Sequence, residues 1–240
     1  MRGLREEERE VKDINIIYED EWICVIDKPA GLVVNDSNTS KDTLQSWFAK
    51  RYEIKRDETE FGLKQGLVHR LDKDTSGVMV LAKTPEAYEK LKSQFLERKV
   101  IKKYAALVHG IMNQESGIVN QPVVRNPKNK LKFAVGNDLS KTAITQWRVV
   151  KAGGKHSLLE LAPHTGRTHQ IRVHLKHLGH PIVSDPIYGG KRYREDIKWC
   201  PRLWLHAKYL EFDHPGSGDR VSFEVPVPAE LAKAMVELVH

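Results

Sequence analysis

The sequence predicts an α+β fold built on a mainly antiparallel sheet, and three observations carry that reading. Short runs of β-branched and aliphatic residues recur along the chain, separated by Gly, Asn, Pro and acidic turns. Helical spacing of apolar residues is confined to a few stretches, chiefly Thr43–Tyr52, Thr84–Arg98 and Thr168–Leu178. With 240 residues, 40% hydrophobic and 30% charged, the chain is long enough to bury one substantial core.

Taken in order, Arg2 to Lys12 is a charge-rich leader with a helical bias from its glutamates, and residues 13–240 form one domain. Ile14–Tyr18 and Trp22–Ile26 read as a hairpin around the acidic turn Glu19-Asp20-Glu21. Lys28-Pro29-Ala30-Gly31 supplies a turn before Leu32-Val33-Val34. Leu44, Trp47, Phe48 and Arg51 predict a short amphipathic helix, followed by a polar linker from Glu53 to Lys64. Val78–Ala82, bounded by Gly77 and Thr84-Pro85, is a buried strand. Thr84 then caps a helix with Pro85 at its first position and Tyr88, Leu91 and Phe95 on its apolar face. Lys102–Gly110 is a strand, and Ile118–Pro163 resolves into short ones at Ile118-Val119, Leu131–Val135, Ala143–Val150 and Leu158–Leu161. A helix capped by Thr168 carries Ile171, Leu175 and Leu178 on one face and ends at Gly179 and Pro181. Lys191–Lys198 reads as a loop, Leu203–Leu210 and Val221–Val225 as strands around Pro215-Gly216-Ser217-Gly218, and Pro228 opens a closing helix.

A formal charge of +7 and a pI near 9.3 make the surface attractive to polyanions, so nucleic acid is the natural partner. The two cysteines, Cys24 and Cys200, suggest neither a disulfide framework nor a Cys-based zinc site, and a reducing cytosol fits. No apolar run approaches membrane-spanning length, and the N-terminus is too charged for a secretory signal. A soluble, cytoplasmic protein is expected.

Reactive side chains concentrate in two stretches. The loop before Val78 packs a histidine, an arginine, two carboxylates and two hydroxyls into the eight positions His69–Ser76, more than a connecting turn requires. Turn chemistry alone would explain Asp72 or Asp74, and a left-handed Gly77, but not the whole string. The second stretch, His164–Leu175, flanks a helix N-terminus with Arg167 and Arg172, a good site for an anion. Histidines 164, 169, 174, 177 and 180 invite a metal reading. Against it, the fivefold spacing of the first three turns successive rings about 140° apart on a helix, and no Glu-bearing zinc motif accompanies them, so no metal is expected. Arg125, Lys128, Lys130 and Lys132 either line an RNA surface or cover a solvated hairpin tip.

The string His69-Arg70-Leu71-Asp72-Lys73-Asp74-Thr75-Ser76-Gly77, followed by a hydrophobic strand, resembles the active-site motif of the RluA-type pseudouridine synthases, with Asp72 in the place of the catalytic aspartate. Other segments are similar to the same family: Asp27-Lys28-Pro29-x-Gly31, Lys102-x-Tyr104-x-Ala106-x-Val108, Thr165-Gly166-Arg167-x-His169-Gln170-Ile171-Arg172-x-His174-Leu175, Gly179-His180-Pro181-Ile182-x-x-Asp185-x-x-Tyr188-Gly189 and Leu205-His206-Ala207. The resemblance runs from residue 14 to 228, with departures at Asn35, often a histidine, His164, commonly a lysine, and Ser184, commonly a glycine. It implies the pseudouridine synthase fold with an active-site cleft across the sheet, in the form without an N-terminal S4 RNA-binding domain. It also implies isomerisation of specific uridines in structured RNA, ribosomal or transfer, by a monomer without cofactors. In that reaction the bond from ribose C1′ to uracil N1 breaks, the base turns while bound, and C1′ rejoins at C5.

By that resemblance Asp72 is catalytic, Tyr104 sits against the target base, and Leu205 helps wall its pocket. Arg172 is expected to orient Asp72 through its guanidinium fork. Arg70 approaches the RNA backbone or fills the gap left by the flipped uridine, and His69, Arg167 and His169 contact RNA or base. Ordinary aspartates are ionised at neutral pH, which makes Asp72 available as nucleophile or base. An aspartate-nucleophile phosphatase would place its Asp-x-Asp after a hydrophobic strand, whereas here the strand follows the motif. A non-catalytic RNA-binding protein would have no use for Asp72, Tyr104 and Arg172 together.

Overall fold

The computed structural model describes residues 14–37, 42–129 and 132–235; the charged leader Arg2–Lys12 lies outside the described residues. In chain order the elements are strands β1 (Asn15–Glu19) and β2 (Ile23–Lys28), helices α1 (Leu44–Arg51) and α2 (Glu60–Lys64), strand β3 (Ser76–Ala82) and helix α3 (Pro85–Leu96). Strands β4 (Ile101–His109), β5 (Ser116–Asn120), β6 (Val123–Arg125), β7 (Phe133–Val135), β8 (Ile144–Gly153) and β9 (His156–Pro163) follow. Helices α4 (Gln170–His177) and α5 (Tyr193–Asp196), strands β10 (Leu205–Asp213) and β11 (Arg220–Glu224), and helix α6 (Ala229–Ala234) complete it.

Local chemistry explains most of the boundaries. Thr84 accepts a hydrogen bond from the backbone of Ala87 and Pro85 occupies the first turn of α3, as the sequence predicts, and Thr43 caps α1 in the same way through the Ser46 N–H. Three readings need correction. The linker Glu53–Lys64 contains α2, capped by Thr59, and the loop Lys191–Lys198 contains a 3-10 turn and α5. Thr168 does not cap α4: the cap position belongs to His169, which makes no side-chain capping bond. These helices are short and satisfied by tertiary contacts, so they carry no periodicity long enough to read.

Nine strands form one sheet in the order β1-β2-β3-β10-β4-β9-β8-β5, with β11 also on β10. All pairs are antiparallel except β3 with β10. β6 and β7 form a separate hairpin. Strand β10 joins the two halves: β1–β3 pack against α1 and α3, while β4, β8 and β9 share a core with α4 and α6 around Trp204. The reactive loop enters β3 at this seam, where Gly77 pairs with Ala207 and Ala207 with Tyr104. Gly77 has φ +126, and a Cβ there would lie 2.1 Å from the Ala207 carbonyl oxygen, so only glycine allows the two backbones to meet.

The seam generates a stability prediction. Gly77→Ala is expected to cost about 3 kcal/mol or more in urea denaturation, since left-handed strain of about 1–2 kcal/mol adds to backbone overpacking of about 1–3. Gly31→Ala, also at positive φ but with open space around the added Cβ, should show the strain alone. Equal losses for the two would contradict a steric role for the β3–β10 contact.

Candidate active site

A cleft of about 430 Å³ opens over the seam, between the loop before β3, the end of α3, strand β4 and the segment Pro163–Arg172 that leads into α4. His69, Arg70, Asp72, Tyr104, Arg167, His169, Arg172 and Leu205, far apart in sequence, all line it. The fold therefore gathers these eight residues into one place. What each does there differs in several cases from expectation.

Arg172 is the clearest difference. Its guanidinium is 2% exposed and turns its fork on Asp185, with Nε and Nη2 each 2.8 Å from one carboxylate oxygen. Only Nη1 reaches Asp72, donating to Oδ2 at 3.3 Å. The fork expected on Asp72 thus belongs to Asp185, which is fully buried and also accepts the backbone N–H groups of Ile187 and Tyr188 at 2.8 and 2.9 Å. A buried carboxylate requires a bidentate partner more than a half-buried one does, and Asp72 is 19% exposed at its side chain. Burial alone would lower the Arg172 pKa, but the bonds and charge of Asp185, then of Asp72, hold it above its ordinary value. Asp72 is left with one fixed donor and oxygen lone pairs facing the cleft.

His169 stands on the other side of Asp72, its Nε2 3.9 Å from Oδ2. Its backbone is left-handed, φ 57, and Nδ1 lies 3.0 Å from the Tyr188 hydroxyl, which accepts the Phe133 N–H at 2.9 Å. The β6–β7 hairpin is thereby tied to the cleft wall. Burial lowers the His169 pKa, with the charge of Asp72 opposing. Arg167 sits exposed at the rim and donates to the carbonyls of Ser140 at 3.1 Å and Thr142 at 3.4 Å. Its own N–H is received by Gln170 Oε1, so Gln170, not Thr168, orders the entry to α4.

His69 is not free to meet a ligand through Nε2, which accepts the Val80 N–H at 3.1 Å while the ring stacks on Phe95. Burial, reinforced by the charge of Lys102, pushes its pKa down to about 3, so the imidazole is neutral and fastens the loop to β3. Arg70 is exposed at the rim, and Leu205 is buried in the wall. Tyr104 points into the cleft, and burial, then the nearby Asp72, push its phenol above the ordinary tyrosine range.

Sequence reasoning passed over two supports. Asp185 and Tyr188 lay in a quoted motif, but nothing local marks their contacts. Lys28, fully buried, donates to the carbonyls of Pro29, Leu32 and Lys73 at 2.8, 3.0 and 3.1 Å, fixing the reactive loop from behind. Burial draws its pKa down to about 7 against the charges of Asp74 and Asp72. Of the basic run, Arg125 lies on β6 and Lys128 in the turn after it, beside a hairpin whose Phe133 meets His169 edge-on; Lys130 lies outside the described residues. The histidines take separate places: His174 is buried between Thr145 and Gln121, and His180 bonds the His109 carbonyl. Among the described residues no group of three or more His, Cys, Asp or Glu is arranged to hold a metal ion.

The family model described as RNA pseudouridylate synthase matches residues 23–177, which carry the loop, β4 and the whole of α4. The chain belongs to the RNA pseudouridine synthase family. A relative from Pseudomonas aeruginosa, ribosomal large subunit pseudouridine synthase D, is 42% identical over 230 residues, covering 91% of this chain and 70% of its own. An RNA pseudouridine synthase of Aquifex aeolicus is 41% identical over 223 residues, 90% of this chain and 70% of its own. Among solved structures, human RNA pseudouridylate synthase domain containing 1 superposes with a TM-score of 0.72 at 28% identity, covering 89% of this chain and 83% of that one. The human domain containing 4 protein gives 0.71 at 26%, covering 94% and 93%. The α+β architecture is thus that of the pseudouridine synthases, and the chain is an isomerase that forms pseudouridine in RNA. No helix among the described residues is long and apolar enough to cross a membrane.

The buried charges of this synthase make a second prediction. Asp185→Ala leaves the Arg172 fork uncompensated and should lower stability by about 3–5 kcal/mol in urea denaturation. Asp72→Ala removes one 3.3 Å contact from a partly solvated group and should cost roughly 1 kcal/mol or less. The reverse order would show that Asp72, not Asp185, is the structural partner of Arg172.

Proposed function

We propose that Asp72 is the catalytic aspartate of this synthase and acts on a uridine turned out of structured RNA into the cleft. One observation carries the reading: Arg172 holds Asp72 through a single nitrogen at 3.3 Å while its fork is committed to Asp185, which leaves a fixed but uncrowded carboxylate facing the cleft. Such a carboxylate serves as nucleophile toward sugar or base, or as the base that removes a ribose proton. The rest of the cleft suits a flat, neutral ring. Tyr104 and Leu205 offer it an aromatic face and an aliphatic wall, and both are poor hosts for water.

The reaction is an isomerisation. The C1′–N1 bond breaks, the detached uracil turns while held against Tyr104, and a C1′–C5 bond forms. The C5 proton is lost and N1 gains one, so no atom or electron is exchanged with a cofactor. Turning the uridine out costs a few kcal/mol, least where it is already unpaired, which favours loops of folded RNA. The Pseudomonas relative is named for the large ribosomal subunit, and we assign this chain a ribosomal RNA substrate in the cytoplasm on that support. We read residues 13–240 as a single catalytic domain acting as a monomer, with Arg70, Arg167, His169 and the β6–β7 hairpin on the RNA side and His69 holding the loop.

Asp72→Asn keeps the side chain's shape and removes its charge. Pseudouridine formation in large-subunit RNA should fall by roughly a thousandfold or more, with RNA affinity within about threefold of wild type. The product has the mass of its substrate, so base-specific chemical labelling is the readout. Undiminished pseudouridine in the Asp72→Asn reaction would refute the assignment.

A further inference from the structure

The cleft contains a lysine that the fold leaves without a partner. Lys102 lies on β4, lines the cleft and is half-buried, yet among the described residues no carboxylate, carbonyl or aromatic ring receives its ammonium. The other lysines nearby are placed differently. Lys28 is buried but satisfied by three carbonyls, and Lys103 lies 5.1 Å over the Tyr209 ring. The cleft arginines divide in the same way. Arg172 is committed to Asp185 and Asp72, and Arg167 to the carbonyls of Ser140 and Thr142, whereas Arg70 and Arg98 stand exposed at the rim with no side-chain partner among the described residues. Of the uncommitted cations, Lys102 is the one set into the wall.

An ammonium withdrawn from water without a counter-charge destabilises the fold, and burial draws the Lys102 pKa down to about 8. An anion offsets that loss most directly, since the three carbonyls that satisfy Lys28 have no counterpart around Lys102 and one uracil carbonyl would supply a single acceptor. RNA supplies a single kind of anion, the backbone phosphate. Residues two apart on a strand share a face, about 7 Å along it, so Lys102 stands beside Tyr104 on the cleft side. That separation is within the reach of one nucleotide, so a phosphate adjoining a base on Tyr104 can meet Lys102.

We propose that Lys102 is the phosphate anchor of this synthase: its Nζ takes the phosphate of the turned-out uridine itself and sets how far the base is drawn toward Asp72, while Arg70 and Arg98 meet flanking phosphates. The proposal rests on the reading of the cleft as the uridine site.

The test uses protein carrying Asp72→Asn, so that binding is measured without turnover, and the RNA fragment in which wild type forms pseudouridine. Adding Lys102→Met should weaken binding about tenfold and reduce the slope of log affinity against log salt by about 0.7–0.9, the release expected for one phosphate. Lys102→Arg should stay within about threefold. Replacing the phosphate on one side of the target uridine by a neutral methylphosphonate should weaken the Lys102 protein about tenfold and the Lys102→Met protein hardly at all. The Lys102→Met protein should unfold at the same or higher urea concentration than its parent, which a structural role for the ammonium would not allow. An unchanged salt slope, or additive losses with methylphosphonate on either side, would overturn the anchor. Undiminished pseudouridine formation by the Asp72→Asn protein would instead count against the reading of the cleft as the uridine site, and the two failures are read in separate assays.

Discussion

The structure turns on the buried positive charge of Arg172. A guanidinium 2% exposed is tolerable only if its donors meet carboxylates in good geometry, and Asp185 meets two of them at 2.8 Å. Asp185 is itself held by the N–H groups of Ile187 and Tyr188, so α4, the turn after Ile182 and the loop that carries Asp72 share one arrangement. Moving α4 or that turn would strand a charge in the interior, while the loop gives up only one partly solvated contact. The consequence for chemistry is a division of labour between two carboxylates. Asp185 neutralises and aims the arginine, and Asp72, touched by one nitrogen, keeps its remaining lone pairs toward the cleft.

Around that pair the reactive loop is fastened by groups that carry no charge or hide it. His69 accepts the Val80 N–H in front, the Lys28 ammonium gathers three carbonyls behind, and the Gly77–Ala207 contact closes the seam beneath. Each fastening comes from a different strand: β3, β2 and β10. A side chain required to hold a ligand within fractions of an ångström is best mounted on such a frame, because the loop's own backbone has too few bonds to define it. Only one bond internal to the turn, from the Thr75 N–H to the Asp72 carbonyl, is available to do so.

The positive charge of the cleft is likewise of two kinds. Arg172 and Arg167 organise protein, while Lys102 in the cleft wall and Arg70 and Arg98 at its rim have no side-chain partner among the described residues. A net charge of +7 says only that a polyanion is welcome. Which cations meet it depends on which ones the fold has already used.

The sequence by itself determined whatever depends on near neighbours. The α+β class, the Thr84 cap and the strand after Gly77 are legible from short-range pattern, and motif alone singles out Asp72, Tyr104 and Arg172, the residues proposed to carry the chemistry. Tertiary structure decided partnership. That the Arg172 fork belongs to Asp185 and not Asp72, that Gln170 rather than Thr168 orders the start of α4, that His69 is a tie and not an RNA contact through Nε2, and that Lys28 supports the loop all depend on atoms brought together from distant strands. The same holds for α2 and α5, short helices with distant partners: Glu60 and Phe61 meet Tyr88 of α3, and Asp196 meets His109 of β4. A side chain's chemistry is written in its own identity, but the partner it satisfies is set by burial, and burial exists only once the whole sheet has closed.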